Sequence, residues 1–192
     1  MDTADRRRIT VVLADGSGLR DAIVLSNVTV DRGLPPALAE LDLEGLTALV
    51  VVTGPGSHTG IRAGMAALLG IAQACNLPLH SAGALEVVAH GAPTDAAVVH
   101  AVADAGRGGL FVGEFRRVAD ELVEVGGSRR VLAAGHRPPA GAVTVALDHL
   151  PPGLDESVVV AASDAALAAA ALVAVRRPAL RPGDISSHAP AG

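Results

Sequence analysis

Aromatic residues and cysteines are nearly absent from this sequence of 192 residues, which contains two Phe, no Tyr, no Trp and one Cys. Without aromatic side chains, the chain lacks the stacking platforms on which binding of single-stranded nucleic acid usually depends. The single cysteine, Cys75, excludes an internal disulfide and a cysteine-based metal cage. The core must therefore be built from Ala, Val and Leu, with backbones packed closely.

Excess positive charge and long apolar runs are also missing. The net charge of −5 argues against binding of tRNA or DNA by this chain alone. The longest apolar run, Ala165 to Val175, is shorter than the ~20 residues needed to span a bilayer, and no signal peptide is visible. Since half of the residues are hydrophobic, we expect an ordered protein of the cytoplasm that has no membrane association.

The predicted elements alternate in the manner of an α/β protein with mixed sheets flanked by helices. In the first half we predict strands at Ile9–Asp15, Arg20–Val30, Thr47–Thr53 and Leu77–Ser81, and helices at Leu34–Leu43, Thr59–Cys75 and Gly83–Gly91. From Asp95 the pattern begins again, with strands at Ala97–Ala103, Gly109–Val118, Glu121–Val125, Val131–Ala133 and Val143–Leu147 and a helix at Ser163–Val175. We therefore expect two lobes of similar plan, residues 1–94 and residues 95–192, the second with an irregular tail.

The stretch GPGSHTGIR, residues 54–62, joins a predicted strand to the longest predicted helix. It has no lysine, as a Walker A loop would require, and its third glycine comes one place too late for a dinucleotide fingerprint. The glycines permit a tight turn into the helix, and a hydroxyl can cap the first helical turn. The helix N-terminus could also attract an anion, but capping is the simpler interpretation. The predicted turn and capping residues are Gly54, Pro55, Gly56, Ser57 and Thr59.

Small residues recur along the helix that follows this turn, at spacings of four. Such a ridge allows the backbone of another helix to approach closely. The helix is apolar on nearly every side, which is typical of a helix covered on two sides, and the chain offers few other long helices to cover it. We therefore predict that a partner chain docks here. The predicted interface residues are Gly60, Ile61, Arg62, Ala63, Gly64, Ala67, Leu68 and Ile71.

The stretch GPGSHTGIRAGMAALLGIAQACNLPL resembles the signature of the TsaB (YeaZ) family, whose usual form is GPGS-F-TG-L-R-I-G followed by a helix and a strand. The matching residues are Gly54, Pro55, Gly56, Ser57, Thr59, Gly60, Arg62 and Gly64. His58 stands where the family usually has Phe. The family's Asp-Thr-Ser turn after the first strand is echoed only by Asp15 and Ser17.

A second block, HAVADAGRGGLFVGEF, resembles the hairpin in the second lobe of the same family. Asp104, Ala105 and Arg107 match its turn, with Gly106 inserted, and Phe111 stands where the family usually has Tyr. Together the two blocks extend the resemblance from about Thr47 to Phe115.

The resemblance implies the two-lobed fold shared by actin, Hsp70 and sugar kinases, with a degenerate nucleotide cleft and no cofactor. It implies a subunit without catalysis of its own, which dimerises with a TsaD-type paralogue. In the family, the TsaD-type subunit carries the metal and transfers threonylcarbamoyl to the adenosine beside the anticodon of certain tRNAs. A TsaE-type ATPase joins the complex, and the subunit contacts tRNA only as part of that complex.

Other functions stay open on the residues themselves. Asp15 and Asp104 lie where actin-like kinases place carboxylates, so they could face a residual nucleotide cleft, although aspartates at turns are the simpler interpretation. A small actin-fold ATPase or phosphotransferase is therefore one alternative, and a diverged homodimer without the tRNA role is another. The scattered histidines form no metal-binding pair, and no Gly-x-Ser-x-Gly elbow is present, so we predict neither a metal site nor catalytic residues.

Overall fold

A computed structural model describes residues 1–119, 121–155 and 157–181. In these ranges the chain forms strands β1 (Arg8–Asp15), β2 (Gly18–Ser26), β3 (Leu49–Val52), β4 (Leu79–Ala82), β5 (Val98–Gly106), β6 (Gly109–Val118), β7 (Glu121–Leu132), β8 (Val143–Leu147) and β9 (Val159–Ala161). It forms helices α1 (Val30–Ala39), α2 (His58–Cys75), α3 (Ala84–Ala89) and α4 (Ser163–Ala174). Across the described ranges, no helix is long and apolar enough to cross a membrane. The predicted irregular tail lies largely outside the described residues.

The chain divides into two compact units whose boundaries differ from the expected lobes. Among the described residues, the first unit comprises 1–84 and 168–181, and the second comprises those between 85 and 167. The expected boundary lay at residues 94 and 95, after α3, whereas the structure groups most of α3 with the second unit. The second half of α4 returns to the first unit, where the backbone N–H of Leu180 donates to the carbonyl of Leu79 at 2.7 Å.

The first unit contains an antiparallel hairpin, β1 with β2, and a parallel pair, β3 with β4. The N-terminal residues lie between the two pairs. Asp2 exchanges two backbone hydrogen bonds with Thr10 of β1, and Met1 bonds to Val50 and Val52 of β3. The lateral order is therefore β2, β1, the N-terminal segment, β3 and β4. The buried core of this unit contains Met1, Ile9, Val11, Leu34, Ala37, Leu49, Val51, Met65, Leu68, Ala72 and Leu79.

Helix α1 begins earlier than predicted, so Pro35 and Pro36 lie inside it rather than in its first turn. Proline cannot donate the helical hydrogen bond. Both prolines are exposed, so the carbonyl groups that lose their donors face the solvent side, where water can replace them. The bounds of helix α2 agree with the prediction to within one residue. Asn76 ends this helix in the left-handed conformation, at φ 52°. This geometry suits an asparagine C-cap.

The second unit is built on a five-stranded sheet in the order β7-β6-β5-β8-β9. β7, β6 and β5 are antiparallel, whereas β5, β8 and β9 are parallel. The sequence predicted two short strands where the structure has the single strand β7. Gly126 and Gly127 have φ values of 81° and 73°, which absorb an irregularity in the pairing with β6 and let the strand continue. The three-residue strand β9 was not predicted.

Candidate partner-binding site on helix α2

The turn between β3 and α2 is closed by a serine cap. Ser57 has an extended conformation, and its Oγ accepts a hydrogen bond from the backbone N–H of Gly60 at 3.2 Å. Ser57 is therefore the N-cap, while Thr59 is exposed in the first helical turn. Gly54, at φ 108°, lies in a region that favours glycine, and its carbonyl accepts from the N–H of Ala84 at 2.7 Å.

Gly60 and Gly64 form a row on α2 that we call the glycine ridge. This ridge lies against the N-terminal segment of the same chain, residues 1–4. The Oγ1 of Thr3 donates to the carbonyl of Gly60 at 2.8 Å, and the N–H of Ser57 donates to the carbonyl of Ala4 at 2.7 Å. A methyl group on Gly60 would overlap the carbonyl oxygen of Thr3, and one on Gly64 would overlap its Oγ1. Both glycines are buried. Their lack of a side chain therefore serves close approach within the chain, not contact with a partner.

The same N-terminal segment supplies an Asp-Thr-Ala sequence at residues 2–4. It lies upstream of the Asp15–Ser17 turn, where the resemblance placed the echo of the family's Asp-Thr-Ser turn. Thr3 is almost fully buried, at 2% exposure. The sequence did not predict this contact because residues 1–4 show no alternation of polar and apolar residues. In addition, Gly60 lies 57 positions from Thr3.

The predicted interface residues divide between two sides of α2. Gly60, Ile61, Gly64 and Leu68 are buried within the chain, so we correct the interface prediction for these four. The opposite side carries small residues that are exposed or half-buried, with open space around Gly70. We call this side the outer face of α2. It consists of Arg62, Ala66 and Gly70, which are exposed, whereas Ala63, Ala67 and Ile71 at its edge are half-buried and pack against the core of the first unit.

Asp15 and Asp104 each hold a hairpin turn. One carboxylate oxygen of Asp15 accepts from the backbone N–H and the hydroxyl of Ser17, at 2.8 and 2.6 Å, and these bonds lower the pKa of the Asp15 carboxyl. Asp104 accepts from the N–H of Gly106 at 2.7 Å. The two aspartates belong to different units. Their local bonds fit the turn-forming interpretation.

A cavity of about 270 Å³ lies beside the first turns of α1 and α2. The helix N-termini and two arginines, Arg6 and Arg8, would favour an anion, but Asp5 and Asp31 line the same cavity. Arg8 forms ion pairs with Asp2 at 3.4 Å and Asp5 at 3.7 Å. The formal charges of the lining side chains therefore sum to zero.

The second unit contains a histidine pair that the sequence did not reveal. The Nε2 atoms of His100 and His136 lie 2.9 Å apart, and the two rings are stacked. Burial, followed by the charges of His136 and Arg129, lowers the pKa of His100 to about 4. Burial also lowers the pKa of His136. Over the described ranges, no group of three His, Cys, Asp or Glu side chains could hold a metal ion.

Comparison with known proteins gives one family and one fold. The family model described as TsaD: tRNA N6-adenosine threonylcarbamoyltransferase matches residues 35–135, more than half of the chain. The structure of YeaZ from Pseudomonas aeruginosa has a TM-score of 0.69 and 20% identity, over 100% of this chain and 96% of that one.

A second crystal structure has a TM-score of 0.67 and 20% identity, over 93% of this chain and 92% of that one. It belongs to an uncharacterized protein described as similar to peptidase YEAZ from Pseudomonas aeruginosa. No curated protein matches the sequence. At this identity the two structures bear on the fold alone, and they confirm the predicted actin-like α/β class with mixed sheets and flanking helices.

Proposed function

This chain belongs to the TsaD family, described as tRNA N6-adenosine threonylcarbamoyltransferase, and from that premise we propose that it is a TsaB-like accessory subunit. The family match and the YeaZ fold confirm the resemblance first seen in GPGSHTGIR. In our proposal the chain supports threonylcarbamoylation of the adenosine beside the anticodon by dimerising with a TsaD-type catalytic subunit. A TsaE-type ATPase joins this complex, and the chain meets tRNA only through it.

The observation that carries the proposal is the outer face of α2. Ala66 and Gly70 are exposed there, one helical turn apart, and Ala63 and Ala67 are only partly covered. Small side chains let a second helix come close enough for extensive backbone and side-chain contact. Arg62 is exposed at the N-terminal end of the face, where it can pair with an acidic residue at the rim of such an interface.

Co-purification with a TsaD-type subunit tests this interface, with Gly70→Leu as the main variant. Nothing lies within 4 Å of a Cβ built at Gly70, and leucine favours helix more than glycine does, so the fold should tolerate the change. The larger side chain should hold the partner helix away and weaken the complex at least tenfold in calorimetry. Gly64→Leu is unsuitable for this test because Gly64 packs against Thr3.

A matched control is Gly16→Leu, in the turn between β1 and β2. Gly16 also has open space around its Cβ position, so this variant adds the same side chain elsewhere and should bind like the original chain. Transfer of threonylcarbamoyl to tRNA by the reconstituted complex should fall with Gly70→Leu and stay unchanged with Gly16→Leu. Equal binding by all three proteins would exclude the outer face as the interface. Dimerisation of this chain alone, seen by light scattering, would instead favour the homodimer alternative.

A further inference from the structure

β7 is an outer strand of the five-stranded sheet, and among the described residues no strand pairs with the side of β7 that faces away from β6. We call this side the free edge. The strand is 12 residues long, and all of its residues except Leu122 and Val131 are exposed. An exposed strand edge presents N–H and C=O groups that can pair with another strand. The free edge of β7 can therefore accept a further strand.

Two hydrogen bonds show which residues of β7 direct their backbone groups to the free edge. The N–H of Ala133 donates to the carbonyl of Gly108 at 2.9 Å, so odd-numbered residues in the second half of β7 face β6. The N–H of Arg117 donates to the carbonyl of Ala97 at 3.0 Å. Arg117 therefore faces β5, its neighbours in β6 face β7, and their partners in the first half of β7 are again odd-numbered. Because direction alternates along a strand, even-numbered residues face the free edge. Outside the irregular stretch they are Leu122, Glu124, Arg130 and Leu132.

The irregular stretch of β7 is centred on one residue. Val125 and Arg129 are the last regularly paired residues on its two sides, so Gly127 lies midway. Gly126 and Gly127 have open space at their Cβ positions, and Ser128 is also small. A second β7, antiparallel to the first and related to it by a two-fold axis at Gly127, would place this stretch opposite itself, with small residues facing small residues.

The charges of β7 select the same centre. In an antiparallel pair centred on Gly127, residues equally distant from it lie opposite each other, so Glu124 lies opposite Arg130 of the second copy. Opposite charges at directly opposed positions stabilise a strand pair, and like charges destabilise it. A shift of two residues would place Glu124 opposite Ser128 or Leu132 instead. A shift of one residue would set edge-facing groups against groups that face β6.

The side chains of this charged pair lie on one face of the sheet. Glu124 is opposite Phe115 of β6, and Arg130 is opposite Phe111, which lies four positions away in a part of β6 that pairs regularly with β5. Both charged residues are exposed. Arg130 donates to the carbonyl of Gly106 at 3.2 Å. A guanidinium has five N–H donors, so this bond leaves donors that can bind a carboxylate across the edge.

We propose that the free edge of β7 pairs antiparallel with β7 of a second copy of this chain, about a two-fold axis at Gly127. The pairing joins the two five-stranded sheets into one continuous sheet. It forms two ion pairs between Glu124 and Arg130, one on each side of the axis. The edge-facing residues of the two copies give about eight backbone hydrogen bonds. Leu132, which is 72% exposed, gains an apolar neighbour because it lies opposite Leu122 of the other copy.

This dimer involves the second unit alone, and it does not rest on the function proposed above. The outer face of α2 belongs to the first unit, so Gly70→Leu should leave a dimer through β7 unchanged. A dimer that Gly70→Leu disrupts would instead be the homodimer alternative, and it would contradict the assignment to β7.

Sedimentation equilibrium of the full chain over a range of concentrations tests the proposal. We expect a reversible equilibrium between monomer and dimer. Glu124→Arg and Arg130→Glu should each weaken the dimer at least tenfold, because each places like charges opposite each other. Arg20→Glu, at an exposed site on β2, makes the same change of charge as Arg130→Glu and should leave the equilibrium unchanged. A chain that stays monomeric at millimolar concentration would overturn the proposal.

A mixture of the two single variants distinguishes this register from any other contact. Glu124→Arg has arginine at both positions and Arg130→Glu has glutamate at both, so a mixed dimer contains two complementary pairs. We expect the mixture to dimerise about as tightly as the original chain, and the double variant, which exchanges the two charges, to do the same. If the mixture stays monomeric, or if either single variant dimerises like the original chain, the proposed register is wrong.

A proline at the free edge tests whether the backbone takes part. The N–H of Leu132 faces the free edge, so Leu132→Pro removes a donor that the pairing with β6 does not use. We expect this variant to keep its fold by circular dichroism and to dimerise at least tenfold more weakly. Leu132→Ala, which shortens the side chain and keeps the donor, should weaken the dimer less. Equal dimerisation by Leu132→Pro and the original chain would contradict strand pairing at this edge.

Discussion

The hydroxyl of Thr3 donates a hydrogen bond of 2.8 Å to the backbone carbonyl of Gly60, linking the N-terminal segment to the first turn of α2. Thr3→Val keeps the shape of this buried side chain and removes its donor. We expect the free energy of unfolding to fall by about 1 kcal/mol, measured by urea denaturation. Thr59→Val is the control, because Thr59 is exposed on the same turn. An unchanged midpoint for Thr3→Val would mean that the bond adds no stability.

Two glycines of α2 should respond to alanine with opposite signs. A methyl group on Gly60 would overlap the carbonyl oxygen of Thr3, which is backbone and cannot rotate away, whereas Gly70 has open space. We expect Gly60→Ala to lower the free energy of unfolding by about 1–3 kcal/mol through overpacking. Gly70→Ala should raise it by about 1 kcal/mol through helix propensity. Urea denaturation of both variants checks the pair, and the same sign for both would show that Thr3 does not confine Gly60.

The sequence predicted which residues of α2 share the glycine ridge, but not which residues cover it. Spacings of four placed Gly60, Gly64 and Leu68 on one row of a helix, and the structure has that row. Helical period cannot say what covers a row, however, since the cover is set by contacts distant in sequence. Here Thr3 covers Gly60 and Gly64, and it belongs to a segment too short to show the alternation of a strand.

The sequence predicted an element well where residues adjacent in sequence determine its conformation. The prediction failed where pairing with a strand distant in sequence determines it. β3, α2, β6 and β8 lie within two residues of their predicted bounds, because apolar runs and caps define them. β7 was divided at Gly126 and Gly127, since the pairing with β6 that keeps it continuous is not visible in its own residues. His100 and His136 meet for the same reason, through a contact between residues 36 positions apart.

The cap at Ser57 should contribute measurably to stability. Ser57→Ala removes the oxygen that accepts from the N–H of Gly60, leaving a helical donor without its side-chain partner. We expect a loss of about 1 kcal/mol in the free energy of unfolding. Ser57→Asp provides the rescue, because a carboxylate can accept the same bond and favours a helix N-terminus. If alanine and aspartate lower the urea midpoint equally, the cap is not the source of the effect.

The stability of the chain should depend on pH through His100, which is buried, and its half-buried partner His136. Burial lowers the pKa of His100 in the folded chain to about 4, from the ordinary histidine value of 6.5. Between these pH values the folded chain therefore binds fewer protons than the unfolded chain. His100 contributes its full stability above pH 6.5, and that contribution falls as the pH drops toward 4. Burial opposes protonation of His100 most, followed by the charges of His136 and Arg129, while the acidic Glu114 lies opposite His100 in the register of β5 and β6.

Urea denaturation at pH 7, 6, 5 and 4 measures this dependence, with His100→Leu as the test variant. Leucine removes the titrating group and places an apolar side chain at a site that is 1% exposed. The variant should be less stable at pH 7, where it lacks the bond to His136, yet lose less stability on acidification than the original chain. His58→Gln changes an exposed histidine and should follow the original profile. Parallel profiles for His100→Leu and the original chain would contradict the prediction, because the loss at low pH would then come from other groups.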